Sequence, residues 1–78
     1  MNRQEILEDL KEILQLIKPS IDLSTVNEDT QLIGDIGLDS LTIVLLSLAI
    51  ENKFKVKFEG ALKFNTVGEV IDYIATRA

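Results

Sequence analysis

Ten consecutive residues in the middle of the chain, Leu41-Thr42-Ile43-Val44-Leu45-Leu46-Ser47-Leu48-Ala49-Ile50, carry no charge. An ordinary surface helix is apolar along one stripe only. At helical spacing, Ile43, Leu46, Ile50 and Phe54 share one face of this segment, while Leu41, Leu45 and Leu48 share another. A chain of 78 residues buries only ~60% of its unfolded surface, so it has one small core to offer. The pattern therefore predicts a helix from Asp39 or Ser40 to about Lys53, held to the core by the first face. The second stripe is left at the surface, where exposed apolar patches mark contacts. The run is too short for a membrane span of ~20 apolar residues. The N-terminus, MNRQEILEDL, lacks the apolar centre of a signal peptide. A soluble, cytoplasmic, single-domain protein over residues 1–78, without membrane insertion, is the expectation.

Two further helices are written in the sequence. Ile6, Leu7, Leu10, Ile13, Leu14 and Ile17 recur at steps of three and four, predicting a helix from about Asn2 to Lys18. Acids stand in its first turns, where the helix dipole favours them, and Pro19 stops it. Near the other end, Thr66-Val67-Gly68-Glu69 fits a capping box, and Val67, Val70, Ile71 and Ile74 follow on one face. Between the first two helices, Pro19 to Asp39 holds five acids, no lysine or arginine, and Gly34 and Gly37. Loops of this length are uncommon in compact domains unless functional. Its anchors Ile21, Leu23, Val26, Leu32, Ile33, Ile36 and Leu38 predict that it packs over the core. Phe54 to Phe58 alternates like a strand without a partner strand and is read as an extended connector with Phe54 and Val56, or Phe58, turned inward. A short helical turn is expected over 59–64. The sum is an all-α bundle of three main helices plus one short one, with a long ordered loop after the first.

Composition removes most chemistry. The chain has no cysteine and no histidine, so its side chains build no disulfide, Cys/His zinc site, thiol nucleophile or histidine base. Thirteen acids against eight basic residues, net −5, argue against nucleic-acid binding. Leu38-Asp39-Ser40-Leu41 is not the strained elbow of a serine hydrolase and has no base to serve it. Asp35-Ile36-Gly37-Leu38-Asp39 puts apolar residues where a calcium loop needs oxygens. No Gly-Lys-Ser/Thr follows the glycines, as a phosphate loop requires. A carboxylate pair of the glycosidase kind needs a cleft that so short a chain cannot spare. What remains is Ser40, expected exposed at a helix N-terminus, where free amides and the dipole favour an attached phosphate. Taken alone, Asp39 or Ser40 reads as a simple helix cap, and the setting has to decide.

The setting of Ser40 resembles the acyl carrier protein family. Gly34-Asp35-Ile36-Gly37-Leu38-Asp39-Ser40-Leu41 is similar to that family's Asp-Leu-Gly-x-Asp-Ser-Leu signature, with Ile36 in place of the leucine. Leu46, Ala49-Ile50-Glu51 and Phe54 match its second helix in type and spacing, and Thr66 to Ile74 match its last. The resemblance spans nearly the whole chain. It implies a small acyl-carrier-like bundle and 4′-phosphopantetheine on Ser40, transferred from coenzyme A by a phosphopantetheinyl transferase. The arm's thiol would hold acyl groups as thioesters for acyl-loading and acyl-processing enzymes of fatty-acid, lipid or polyketide-type biosynthesis. The protein itself would be no enzyme, and a monomer without a metal. Asp39 would cap the helix and help the transferase act on Ser40, and Asp35 would order the loop.

The departures from the family pattern are specific. Acids usual after the modified serine and one turn later are replaced by Thr42 and Leu45, and Asn52 and Lys53 also stand where acids are common. Leu41, Thr42, Leu45 and Leu48 are thus the expected partner-binding residues, suited to an apolar groove. Lys53, Lys55 and Lys57 are read most simply as solvated surface, with contact to an acidic partner as the alternative. An amino-acid carrier of the D-alanyl or peptidyl kind, sharing the prosthetic group, remains an alternative. So does a non-enzymatic helical adaptor in which Ser40 only caps a helix.

Overall fold

The structure, a computed structural model, describes residues 2–58 and 64–77. Three α-helices follow in order: α1 (Arg3–Ile17), α2 (Ser40–Phe54) and α3 (Val67–Arg77). The all-α expectation holds, and α1 is the helix against which both α2 and α3 pack. The turn expected over 59–64 lies outside the described residues, apart from Phe64 at its end.

Each helix starts on a side-chain cap. The Asn2 carboxamide oxygen accepts the Glu5 backbone N–H at 2.8 Å, satisfying one of the orphan donors of α1. The stripe of α1 then buries Ile6, Leu7, Leu10, Ile13 and Leu14. Thr66 opens α3 by accepting the Glu69 N–H at 3.3 Å. The capping box expected there is only half made, because the Glu69 carboxylate meets the Thr66 hydroxyl at 3.5 Å rather than its backbone N–H. Val67, Val70, Ile71 and Ile74 are buried beneath α3 as their spacing requires.

The long loop is part of the core. Val26, Leu32, Ile36 and Leu38 are buried against the helices, and Ile21 and Leu23 pack at the margin. Ile33 is the exception among the expected anchors and stands exposed. Within the loop Leu23–Thr25 forms a 3₁₀ turn, with the Asp22 carboxylate accepting the Ser24 N–H. Thr30 is buried, its hydroxyl accepting the Asn27 N–H at 2.8 Å and donating to the Thr25 carbonyl at 3.3 Å. Backbone pairing ties the loop to the start of α3. Leu32 N–H donates to the Asn65 carbonyl, Val67 N–H to Thr30 and Gly68 N–H to Glu28, around an antiparallel bridge between Gln31 and Thr66.

Arg3 clasps three segments from outside. Its guanidinium engages Glu28 of the loop through Nε and Nη2, and Asp72 of α3 through Nη1. These bonds raise the Arg3 pKa further above its ordinary value and hold the Glu28 carboxyl below the usual range. The cluster is exposed, so salt screens it, and it contributes more to alignment than to stability. Beyond α2, Lys55 turns in the left-handed region, with φ 57°. The chain then runs extended with Val56 buried and Phe58 half-buried. Phe58 stacks on Tyr73 with ring centroids 4.9 Å apart, and Phe64 meets both rings edge-on. The Tyr73 hydroxyl donates to the Lys57 carbonyl at 2.7 Å.

Candidate functional site

The site is built by the approach of the chain to α2. After Gln31 the backbone winds tightly: Asp35 and Ile36 N–H both donate to the Gln31 carbonyl, and Gly37 N–H donates to Ile33. Gly37 has φ 84°, which a side chain would strain, and a Cβ there would lie 3.2 Å from Lys18 Nζ. That ammonium, at the C-terminus of α1, donates to the Ile36 carbonyl at 2.5 Å and so pins the turn to the bundle. Asp35 orders the same turn by accepting the Gln31 N–H at 2.8 Å. The buried Leu38 then anchors the chain one residue before the cap.

Asp39 is the N-cap of α2 and makes a full capping box with Thr42. The Asp39 carboxylate accepts the Thr42 N–H at 2.8 Å, and the Thr42 hydroxyl accepts the Asp39 N–H at 2.8 Å. The same hydroxyl lies 2.5 Å from the carboxylate, to which it donates. This bonding, the Thr42 hydroxyl first and its N–H second, holds the Asp39 carboxyl below its ordinary pKa. Thr42 is therefore committed to the cap and half-buried, whereas the sequence pattern grouped it with the outward-facing leucines.

Ser40 is the first residue of α2 and is exposed. The side-chain hydrogen bonds of this turn run between Asp39 and Thr42, leaving the Ser40 hydroxyl at the positive end of the helix dipole. A hydroxyl so placed suits a phosphodiester, whose charge the helix N-terminus favours. Further along, Leu46, Ile50 and Phe54 are buried, while Leu41, Val44, Leu45 and Leu48 are 69%, 51%, 47% and 56% exposed. The expected second stripe is thus at the surface, with Val44 added to it.

Two charged residues of α2 reach other segments. Lys53 is at the surface as expected, its Nζ 3.5 Å from Glu12 and 4.0 Å from Asp9 of α1. Glu51, the single acid of α2, is turned inward to accept the Phe58 N–H at 2.9 Å. A polar hollow of about 680 Å3 opens under the loop beside Lys18, Asp22, Asp29 and Asp35, and Ser40 is not among its walls. Among the described residues no helix is long and apolar enough to cross a membrane.

The described residues thus form a small helical bundle with Ser40 exposed at the capped start of α2. Residues 4–74 match the family model described as the phosphopantetheine attachment site. Several proteins named acyl carrier protein are similar to it. The one from Thermotoga maritima is 40% identical over 94% of this chain and 91% of its own. That from Wolinella succinogenes is 37% identical over 91% and 95%. The mitochondrial acyl carrier protein of Saccharomyces cerevisiae is 40% identical over 74% of this chain and 48% of its own. The chain belongs to the phosphopantetheine-attachment family of acyl carrier proteins. It is an acyl carrier that works on a 4′-phosphopantetheine arm and is not an enzyme.

Proposed function

We propose that Ser40 is the residue that carries 4′-phosphopantetheine, and that the chain delivers acyl thioesters between enzymes of fatty-acid biosynthesis in the cytoplasm, acting as a monomer. The observation that carries this reading is the exposed Ser40 hydroxyl at the capped N-terminus of α2, next to side chains that bond to one another and leave it free. When bound, the group supplies a thiol for thioester formation, which a chain without cysteine lacks on its own side chains. The names of the relatives favour acyl over amino-acid cargo.

In this reading the rest of the site positions. Lys18 and Gly37 hold the turn, Asp35 closes it, and Asp39 and Thr42 fix the first turn of α2 so that Ser40 projects into solvent. The low pKa of Asp39 keeps it anionic beside the hydroxyl as a phosphopantetheinyl transferase approaches, where it assists by orientation. Incubation with coenzyme A and a broad-specificity transferase tests the assignment. A gain of one phosphopantetheine, lost in Ser40→Ala, is the expected result. Modification that survives Ser40→Ala refutes it.

A further inference from the structure

We infer that the exposed face of α2 docks a partner protein whose contact surface is apolar at its centre and acidic where it meets Lys55 and Lys57. The inference deepens the carrier reading, which explains why partners must come to the Ser40 end of this helix. Leu41, Leu45, Leu48 and Asn52 succeed one another at steps of four, three and four, a single row about 16 Å long at ~1.5 Å per residue. Val44 flanks the row, and each of its apolar members is about half exposed or more. Four large apolar side chains on one short helix make a contiguous patch of the kind that marks an interface.

The charge at the end of the row gives the partner its sign. The chain is net −5, yet between Ser40 and Lys57 the charged residues are Lys53, Lys55, Lys57 and Glu51. Glu51 is half-buried and spends its carboxylate on the Phe58 N–H. Lys53 is drawn toward Glu12 and Asp9 of α1. Lys55 and Lys57 are exposed, and among the described residues neither is in an ion pair. The apolar row and the lysines form one surface, because Leu48 also lines a groove of about 390 Å3 with Glu51, Asn52, Lys55, Val56 and Lys57, the Glu51 carboxylate there being engaged by the Phe58 N–H. A basic partner surface would meet uncompensated lysines here, whereas carboxylates would pair with them. A second copy of the chain fits less well, since two molecules of net −5 repel and a copy lying along the row would crowd Ser40.

The test uses the full chain and two synthetic helical peptides with the same leucine stripe, one carrying glutamates at the end that reaches Lys55 and Lys57, its twin carrying lysines. Fluorescence anisotropy and backbone amide shifts are recorded at low and high salt. The glutamate peptide should bind at least about tenfold more tightly than its twin at low salt, with the gap narrowing as salt screens it. Its shifts should fall between residues 41 and 57. Leu45→Glu and Val44→Glu, both at exposed sites and checked for unchanged helicity, should each remove binding. Lys55→Glu with Lys57→Glu should reverse the preference. Equal or tighter binding of the lysine twin, binding by neither peptide, or shifts elsewhere would overturn the inference. So would a dimer of the free chain, seen by sedimentation and broken by Leu45→Glu, which would assign the face to a second copy. Mass analysis of Ser40 modification, run separately, reports on the carrier reading whatever the peptides do.

Discussion

Leu45 and Leu46 are neighbours of identical composition in the same helix, and the fold assigns them opposite duties. Leu46 is 4% exposed in the core and Leu45 is 47% exposed. Leu46→Ala removes a buried isobutyl group and leaves a void between α2 and the bundle, a change that costs about 3 kcal/mol. A domain of 78 residues has a total stability of about 4–12 kcal/mol, so this loss leaves a folded but marginal protein. At ~4–8 °C per kcal/mol for a domain of this size, the melting temperature should fall by about 12–24 °C. Leu45→Ala forfeits roughly half of a buried leucine's ~1.5–3 kcal/mol, and alanine's better helix propensity returns a little of it. Its loss should therefore stay near or below about 1 kcal/mol. Urea unfolding of both variants, followed by circular dichroism, reads the difference directly, with unchanged slopes expected. Equal losses, or a larger loss for Leu45→Ala, would refute the partition of α2 into a buried and a free face.

Three further outcomes follow from particular contacts. Gly68→Ala, ordinarily favourable by about 1 kcal/mol inside a helix, should destabilise by about 1–3 kcal/mol, because its Cβ would stand 2.9 Å from the Glu28 carbonyl oxygen; thermal melts give the sign. Thr42→Val keeps the shape but loses the hydroxyl side of the capping box, and should cost about 1 kcal/mol by the same assay. Asp39 has a folded pKa below its unfolded value, so its stabilisation is complete above the unfolded pKa and drains away as pH falls through the folded one. Asp39→Asn, which can still cap, should flatten that acid-side decline in urea titrations run between neutral pH and pH ~2; an unchanged pH profile would contradict the assignment.

How much of this could be read beforehand depends on how local each interaction is. The stripes of α1 and α3 and the start of α2 at Ser40 follow from spacing and caps within a few residues. So does the exposure of Leu41, Leu45 and Leu48, since a chain this short cannot bury both sides of one helix. The Asp39–Thr42 box was hidden because threonine at that position registers as a missing acid, not as a cap partner. Contacts between distant segments left no local mark. The Gln31–Thr66 bridge, the Arg3 clasp on Glu28 and Asp72, and the reach of Lys18 to Ile36 depend on how the loop lies over the helices. Likewise nothing near Glu51 in the sequence shows that the connector brings the Phe58 N–H to its carboxylate.

Ser40 is, in the function proposed above, the point where cargo joins the protein. Intact-protein mass spectrometry before and after treatment with coenzyme A and a broad-specificity phosphopantetheinyl transferase, with Ser40→Ala alongside, tests it most directly. Ser40→Ala alters an exposed hydroxyl and should leave stability within about 0.5 kcal/mol, so a failure to react is not a failure to fold. The native chain should gain the mass of one phosphopantetheine and the variant none. A folded, initially unmodified native chain that gains nothing, or a variant that gains the same mass, would contradict it.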